Sequence, residues 1–210
     1  MRTRVFGLIL GLTLGLCGIA WGQTIPPNTL LNHDGTDFLH NEEQIWISRT
    51  DSLYVVADWR DWRLGYRRVG FSVSSDAGVT WGIDTLVVGQ YPRQSDPCMS
   101  GDGQGNFFMY MLDYDRTGES QISVFRSTDH GQSWTGPVAT GPLGPYFEDK
   151  QFTTTDRTGG TYDSNYYMSW TRFPNTRPAV IMFVRSTDGA QTFLDPKTVG
   201  PVILSSCGTY

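Results

Sequence analysis

Beyond its first residues this 210-residue chain contains no further long apolar run, so no second segment offers the roughly 20 apolar residues that a membrane-spanning helix requires. Cysteine is scarce: Cys17, Cys98 and Cys207 are the only three. The three histidines, His33, His40 and His130, show none of the spacings that hold zinc. There is no Gly-x-Ser-x-Gly nucleophile motif and no glycine-rich phosphate signature. The chain is therefore expected to need no metal and no cofactor. Basic residues are outnumbered, 16 against 21 acidic, for a formal charge of −5, which argues against nucleic acid as a partner.

The first 22 residues read as a secretory signal. Arg2 and Arg4 form a basic start, Val5 to Ile19 is almost unbroken apolar residues and glycine, and Ala20, Trp21 and Gly22 precede a cleavage expected before Gln23. The mature part keeps 14 basic and 21 acidic side chains, a formal charge of −7. An exported product is expected, secreted, periplasmic or on the cell surface, with no stable membrane insertion after cleavage. In such a compartment Cys98 and Cys207 could form one bridge. With 24 Gly, 11 Pro, 11 Phe, 10 Tyr and 7 Trp, the composition is that of many short strands and tight turns.

The strongest signal is internal repetition. SSDAGVTW at Ser74 to Trp81 returns as STDHGQSW at Ser127 to Trp134 and as STDGAQTF at Ser186 to Phe193, at spacings of 53 and 59 residues. That is the period of a supersecondary unit. After a turn-rich arm at residues 23–41, each unit offers four short strands rich in β-branched and aromatic residues. The first unit covers residues 42–92, the second 93–145 and the third 146–200, with strands expected to begin just after the acids Glu43, Asp96 and Asp149. The third unit is longer, with its extra residues expected in TGGTYDSN at 158–165, and GDGQG at 101–105 reads as a tight turn. Four antiparallel strands at this period predict an all-β chain of β-propeller blades. Three blades do not close a ring, so further blades from the rest of the same chain are expected.

Each position of the repeat has a physical use. Asp76, Asp129 and Asp188 accept bonds from amides of their own turn, with Ser74, Ser127 and Ser186 adding a local bond. Gly78 and Gly131 supply positive φ, and Trp81, Trp134 and Phe193 pack a large ring between strands. The pattern Ser-x-Asp-x-Gly-x-x-Trp at this spacing resembles the Asp box, or bacterial neuraminidase repeat, of the sialidase superfamily. The likeness covers about residues 42–200, and the openings EEQIWIS, SDPCMSGDGQGNFFMY and EDKQFTTTDRTGGTYDSNYYMSW resemble the inner strands of secreted sialidase-like proteins. Boxes one and two match in full. In box three Gly189, Ala190 and Phe193 depart from the pattern, and a less regular turn is expected.

The resemblance implies the first part of a six- or seven-bladed propeller, with the boxes as structural staples on the face away from the ligand. Strand parity then puts strand-one starts and strand-two ends on the opposite face, which collects Glu43, Asp96, Asp149, Arg60, Asp61 and Arg172 among interleaved aromatics. For a sialidase-like enzyme, Arg60 stands where the family places an arginine that grips the substrate carboxylate, and Asp61 close to the expected acid. The family's opening Arg-Ile-Pro motif is absent, EEQIWIS occupying its place. Two functions follow from the resemblance: exo-α-sialidase-type glycoside hydrolysis, or a non-catalytic propeller that binds glycans or proteins at the cell surface.

Overall fold

The computed structural model describes residues 27–141, 143–175 and 178–200. The leader and Cys207 lie outside the described residues. Twelve strands form three separate four-stranded antiparallel sheets, and no helix occurs among the described residues. The first sheet holds β1 (His40–Ile47), β2 (Val55–Asp61), β3 (Arg68–Ser74) and β4 (Gly82–Leu86). The second holds β5 (Arg93–Gly101), β6 (Phe107–Tyr114), β7 (Ser120–Ser127) and β8 (Thr135–Ala139), and the third holds β9 (Tyr146–Thr155), β10 (Tyr166–Pro174), β11 (Val180–Ser186) and β12 (Lys197–Val199). In each sheet the strands lie in chain order, every strand paired with the next.

Why these segments are strands follows from what they bury. Val56, Val69, Phe71 and Val73 of the first sheet pack on Met99, Phe107, Met109, Met111 and Phe125 of the second. Successive residues of β6 point to opposite sides, so Phe108, Tyr110 and Leu112, with Ile122 and Val124 of β7, pack on Tyr166, Met168, Trp170, Met182 and Val184 of the third sheet. The second sheet is therefore apolar on both faces, and each fully buried large side chain in it contributes about 1.5–3 kcal/mol of transfer free energy.

All three boxes form the same turn, including the third. Ser74 Oγ donates to Asp76 Oδ1 at 2.8 Å, while the Gly78 and Thr80 amides donate to Ser74 Oγ and Asp76 Oδ1, both at 2.8 Å. Box two repeats this set with Ser127, Asp129, Gly131 and Ser133, and box three with Ser186, Asp188, Ala190 and Thr192. The expectation of a less regular third turn is corrected. The turn needs two successive residues at positive φ, met by Ala77 and Gly78 in box one (60° and 86°) and by Gly189 and Ala190 in box three (70° and 61°). Its bonds run through backbone amides and the Ser and Asp side chains, so exchanging the order of Gly and Ala leaves them intact. Two bonds lack a counterpart in box three: the one from Trp Nε1 to the Gly carbonyl, 3.1 Å for Trp81 and Trp134, which Phe193 cannot make, and the amide-to-carbonyl bond of Val79 to Asp76 and of Gln132 to Asp129, in place of which the Gln191 amide donates to Asp188 Oδ1 at 3.1 Å.

Strand starts differ from the sequence reading. β1, β5 and β9 begin before the acids, because each carries a β-bulge that breaks the alternation by which strands are recognised. The bulged residues at positive φ are Glu42 (59°), Asp96 (50°) and Lys150 (53°), spaced 54 residues apart. The repeat therefore aligns Glu42 with Asp96 and Lys150, one residue out of step with the Glu43, Asp96, Asp149 register. The loop at 156–165 is indeed the longest β1-to-β2-type connection of the three sheets, and Asp102 closes the 101–105 turn by accepting from the amides of Gln104 and Asn106 at 2.9 and 3.0 Å. Residues 27–39 form no strand, and the arm gives way to β1 at His40.

Candidate functional site

The bulges bring three carboxyl groups together where the first strands of the three sheets meet, at the end of the sheets away from the boxes. Glu42 Oε2 accepts from the Asp96 amide at 3.1 Å and from Ser95 Oγ at 3.3 Å. Asp96 also accepts from Ser95 Oγ at 2.9 Å, and Lys150 Nζ stands 3.6 Å from its Oδ2. Gln151, the second bulge residue of β9, donates from Nε2 to the Asp96 carbonyl. Arg60 reaches the group from β2: its Nη1 lies 2.8 Å from Glu42 Oε1, its Nε donates to Asn41 Oδ1 at 2.8 Å, and its Nη1 donates to Ser95 Oγ at 3.5 Å.

Electrostatics divides the three acids. Burial, and then the charge and hydrogen bond of Asp96, push Asp149 up to about 6. Burial and the neighbouring Asp96 likewise raise Glu42, against the opposing pull of Arg60. For Asp96, burial works against ionisation but is outweighed by hydrogen bonds from Glu42 and Ser95 and by the Lys150 charge, so its carboxyl is lowered. Asp96 is the anion of the set, with a protonated carboxyl on either side of it at acidic pH. The protons belong to the group rather than to any one residue.

Other sequence-predicted residues stand apart from this ladder. Glu43 is exposed and makes none of these contacts; Glu42 takes the place expected for it. Asp61 is fully buried, with Trp59 Nε1 donating to it at 2.8 Å and Arg63 through its amide, Nε and Nη2 at 2.7–2.9 Å. Burial opposes its ionisation, yet the bonds from Arg63 and Trp59 win and hold its carboxyl below the usual range, the reverse of what a proton donor needs. Its role as candidate acid is corrected to that of a tie: with His40, Asp34 and Asp84 it fastens the arm to the first sheet. The ligand atoms of Asp34, His40 and Asp61 lie within 4.8 Å of one another, but Arg63 already bonds these carboxylates and supplies the positive charge.

Arg172 is likewise committed. Its Nε donates to Glu148 Oε1 at 2.7 Å, its Nη2 lies 2.5 Å from the same oxygen, and the guanidinium covers the Tyr146 ring at 4.3 Å. Trp170 Nε1 donates to the other Glu148 oxygen at 2.6 Å. Trp, carboxylate and Arg thus form the same trio in the first and third sheets. Asp113, at the end of β6, instead holds the incoming linker by accepting from the amides of Gln90 and Tyr91 at 2.7 and 3.0 Å. Reading single charges at strand ends missed these pairs, since each partner comes from a different strand or loop.

Sequence reasoning also missed Asp58. It is fully buried on β2, neither carboxylate oxygen has a hydrogen-bond partner, and burial raises it well above the usual range. Cys98 is a buried free thiol, 3.6 Å from Thr153 Oγ1, and burial pushes it up as well.

No family model matches the chain, and no curated protein does. Among solved structures it is similar to a protein of unknown function from Dyadobacter fermentans DSM 18053, with 15% identity and a TM-score of 0.41, over 80% of this chain and 71% of that one. It is also similar to a protein from Bacteroides thetaiotaomicron VPI-5482 named a "putative glycosidase", with 18% identity and a TM-score of 0.43, over 73% of this chain and 48% of that one. Neither likeness is near enough in geometry to bear on function.

Proposed function

We propose that the chain is part of an exported, sialidase-like Asp-box propeller, each four-stranded sheet being a blade, and that it binds carbohydrate or glycoconjugate at the axial end opposite the boxes. The observation that carries this reading is the Glu42, Asp96, Asp149 ladder. Half-buried carboxyls fixed by bulges are preorganised acceptors for sugar hydroxyls. The ligand class it favours is neutral rather than anionic, because Arg60 and Arg172, the guanidinium groups expected to grip a sugar carboxylate, are already bonded to Glu42 and Glu148.

The second reading, exo-α-sialidase-type hydrolysis, draws support from Asp149 alone, whose proton is held to about pH 6 and so is available to a leaving oxygen near neutrality. Two assays on the secreted chain separate the readings. Binding to neutral glycans on an array, lost in Asp96→Asn and without turnover of a fluorogenic sialoside, is the expected outcome. Sialoside turnover abolished by Asp149→Asn would replace it with the hydrolase, and absence of both binding and turnover would remove the carbohydrate reading.

A further inference from the structure

The seventh residue after each positive-φ bulge residue is Arg49, Gly103 and Arg157, at the 54-residue spacing of the bulges themselves. These positions lie in the loops that follow β1, β5 and β9, at the box end of the sheets, where the Ala77 amide of box one donates to the Leu53 carbonyl at 2.9 Å. The 101–105 turn sits between the other two loops, since a Cβ on Gly105 would lie 3.3 Å from Ser48 Oγ and one on Gly103 would lie 3.7 Å from Asp163 Oδ2. With glycine there, the middle repeat adds no side chain of its own at this position. Arg49 and Arg157 line one open hollow of about 450 Å³ together with Thr154, Asp156, Thr158 and Tyr167. A hollow of that size takes a small organic ligand rather than a bare ion.

Unlike Arg60, Arg63 and Arg172, these two guanidinium groups are uncommitted. Every Asp and Glu of the chain lies among the described residues, and none of them pairs with Arg49 or Arg157. The acids of the same loops are turned into their own backbone instead. Asp51 accepts from the Leu53 amide at 3.0 Å, Asp156 from the Thr158 amide at 2.9 Å and hydroxyl at 2.7 Å, and Asp163 from the Gly159 amide at 2.9 Å. Arg157 is nevertheless held in place: its guanidinium lies over the Trp46 ring, 5.1 Å from the centroid, and Trp46 packs on the core between the first and second sheets. Stacking engages the flat face of a guanidinium and leaves its edge N–H donors for an acceptor. Tyr167 OH accepts from Asn165 Nδ2 at 3.3 Å, which leaves its own proton to donate.

We propose that this hollow binds the oxyanion of an acidic saccharide, a carboxylate or a sulfate ester, between Arg49 and Arg157, with the Thr154 and Tyr167 hydroxyls turned to the sugar. Two guanidinium groups against the single Asp156 carboxylate make the hollow positive on a chain of formal charge −5. A fork of N–H donors suits the paired oxygens of such a group. That a sugar carries the oxyanion rests on the carbohydrate reading above. The site is separate from the ladder, at the opposite end of the sheets, and positive where the ladder is acidic.

The test titrates glucose 6-sulfate, glucuronate and glucose into the secreted 210-residue chain while the arginine Nε–Hε NMR signals are followed. One or both of the anionic sugars should shift the Arg49 and Arg157 signals and glucose should not, the tighter of the two naming the oxyanion. Arg49→Gln and Arg157→Gln should each weaken binding about tenfold. Arg157→Lys should weaken it as well, since an ammonium presents no planar fork and loses the stacked geometry on Trp46. Both side chains are exposed, so the melting temperature of the variants should stay at that of the wild type. The proposal is overturned if neither anionic sugar shifts these signals, if glucose shifts them equally, or if the variants bind like the wild type. None of these results touches the neutral-glycan binding assigned to the ladder, which is read through Asp96→Asn, so the two readings fall separately.

Discussion

Arg60 Nη1 lies 2.8 Å from Glu42 Oε1, so the guanidinium that the sequence offers to a ligand is already paired across the bulge of its neighbouring strand. Both side chains are partly buried, at 14% and 24% exposure, and the Arg60 guanidinium, with the Lys150 ammonium beside Asp96, offsets the negative charge of the ladder. Arg60→Ala should lower stability by about 1 kcal/mol, a figure already discounted for solvent screening. It should also raise Glu42 further by removing the one opposing charge. Carboxyl-carbon NMR titration and thermal unfolding check the two effects.

The ladder should respond to loss of its central anion. In Asp96→Asn the neighbouring charge that raises Asp149 is gone, so Asp149 should titrate below about 6. Because its folded value is raised, Asp149 favours folding under acidic conditions and loses that contribution as pH rises through about 6. Asp149→Asn should accordingly flatten the stability profile across that range. Denaturant unfolding at pH 5 and pH 8 gives the comparison.

Asp58 makes a separate prediction with the same sign. Its carboxyl is buried without a partner and is held neutral, so its contribution is complete below the unfolded value, about 3.9, and declines as pH rises toward its raised folded value. Linkage limits the slope to about 1.4 kcal/mol per pH unit. Asp58→Asn should remove this slope, leaving the variant relatively more stable than wild type above neutrality. An unchanged difference between the two proteins from pH 5 to pH 8 would show that Asp58 is not held neutral.

The glycines of boxes one and two should differ in their tolerance of alanine. Both sit at nearly the same positive φ, 86° and 87°, so both variants pay the backbone strain of about 1 kcal/mol. Gly131→Ala adds a contact of 2.7 Å with Val56 Cγ2 inside the interface, where crowding costs about 1–3 kcal/mol more. A Cβ at Gly78 meets only Trp81, at 3.7 Å. The melting temperature should fall clearly further for Gly131→Ala than for Gly78→Ala.

Arg63→Ala should be among the most damaging single changes at the arm. It strips Asp61, fully buried, of most of its hydrogen bonds and leaves the carboxylate with Trp59 and His40. Breaking a buried pair from one side costs about 3–5 kcal/mol. Thermal unfolding, with protease cleavage between residues 27 and 39 as a local readout, tests whether the arm is released.

The sequence by itself determined the number of strands, their grouping into three units and the first two box turns, because these depend on local periodicity and on turn chemistry carried by adjacent residues. Even the altered third box keeps its form, since two neighbouring residues at positive φ and the Ser and Asp side chains are what the turn demands. Tertiary structure decided the rest. Glu42 rather than Glu43 joins the ladder because a bulge shifts the register by one residue, and a bulge is stabilised by pairing with another strand that local sequence does not encode. Asp61 and Arg172 were legible as charges but not as ties, since their partners, Arg63 with the arm and Glu148 with Trp170, are placed by folding. What a charged side chain is free to do depends on which opposite charge reaches it first, and that is a property of packed sheets.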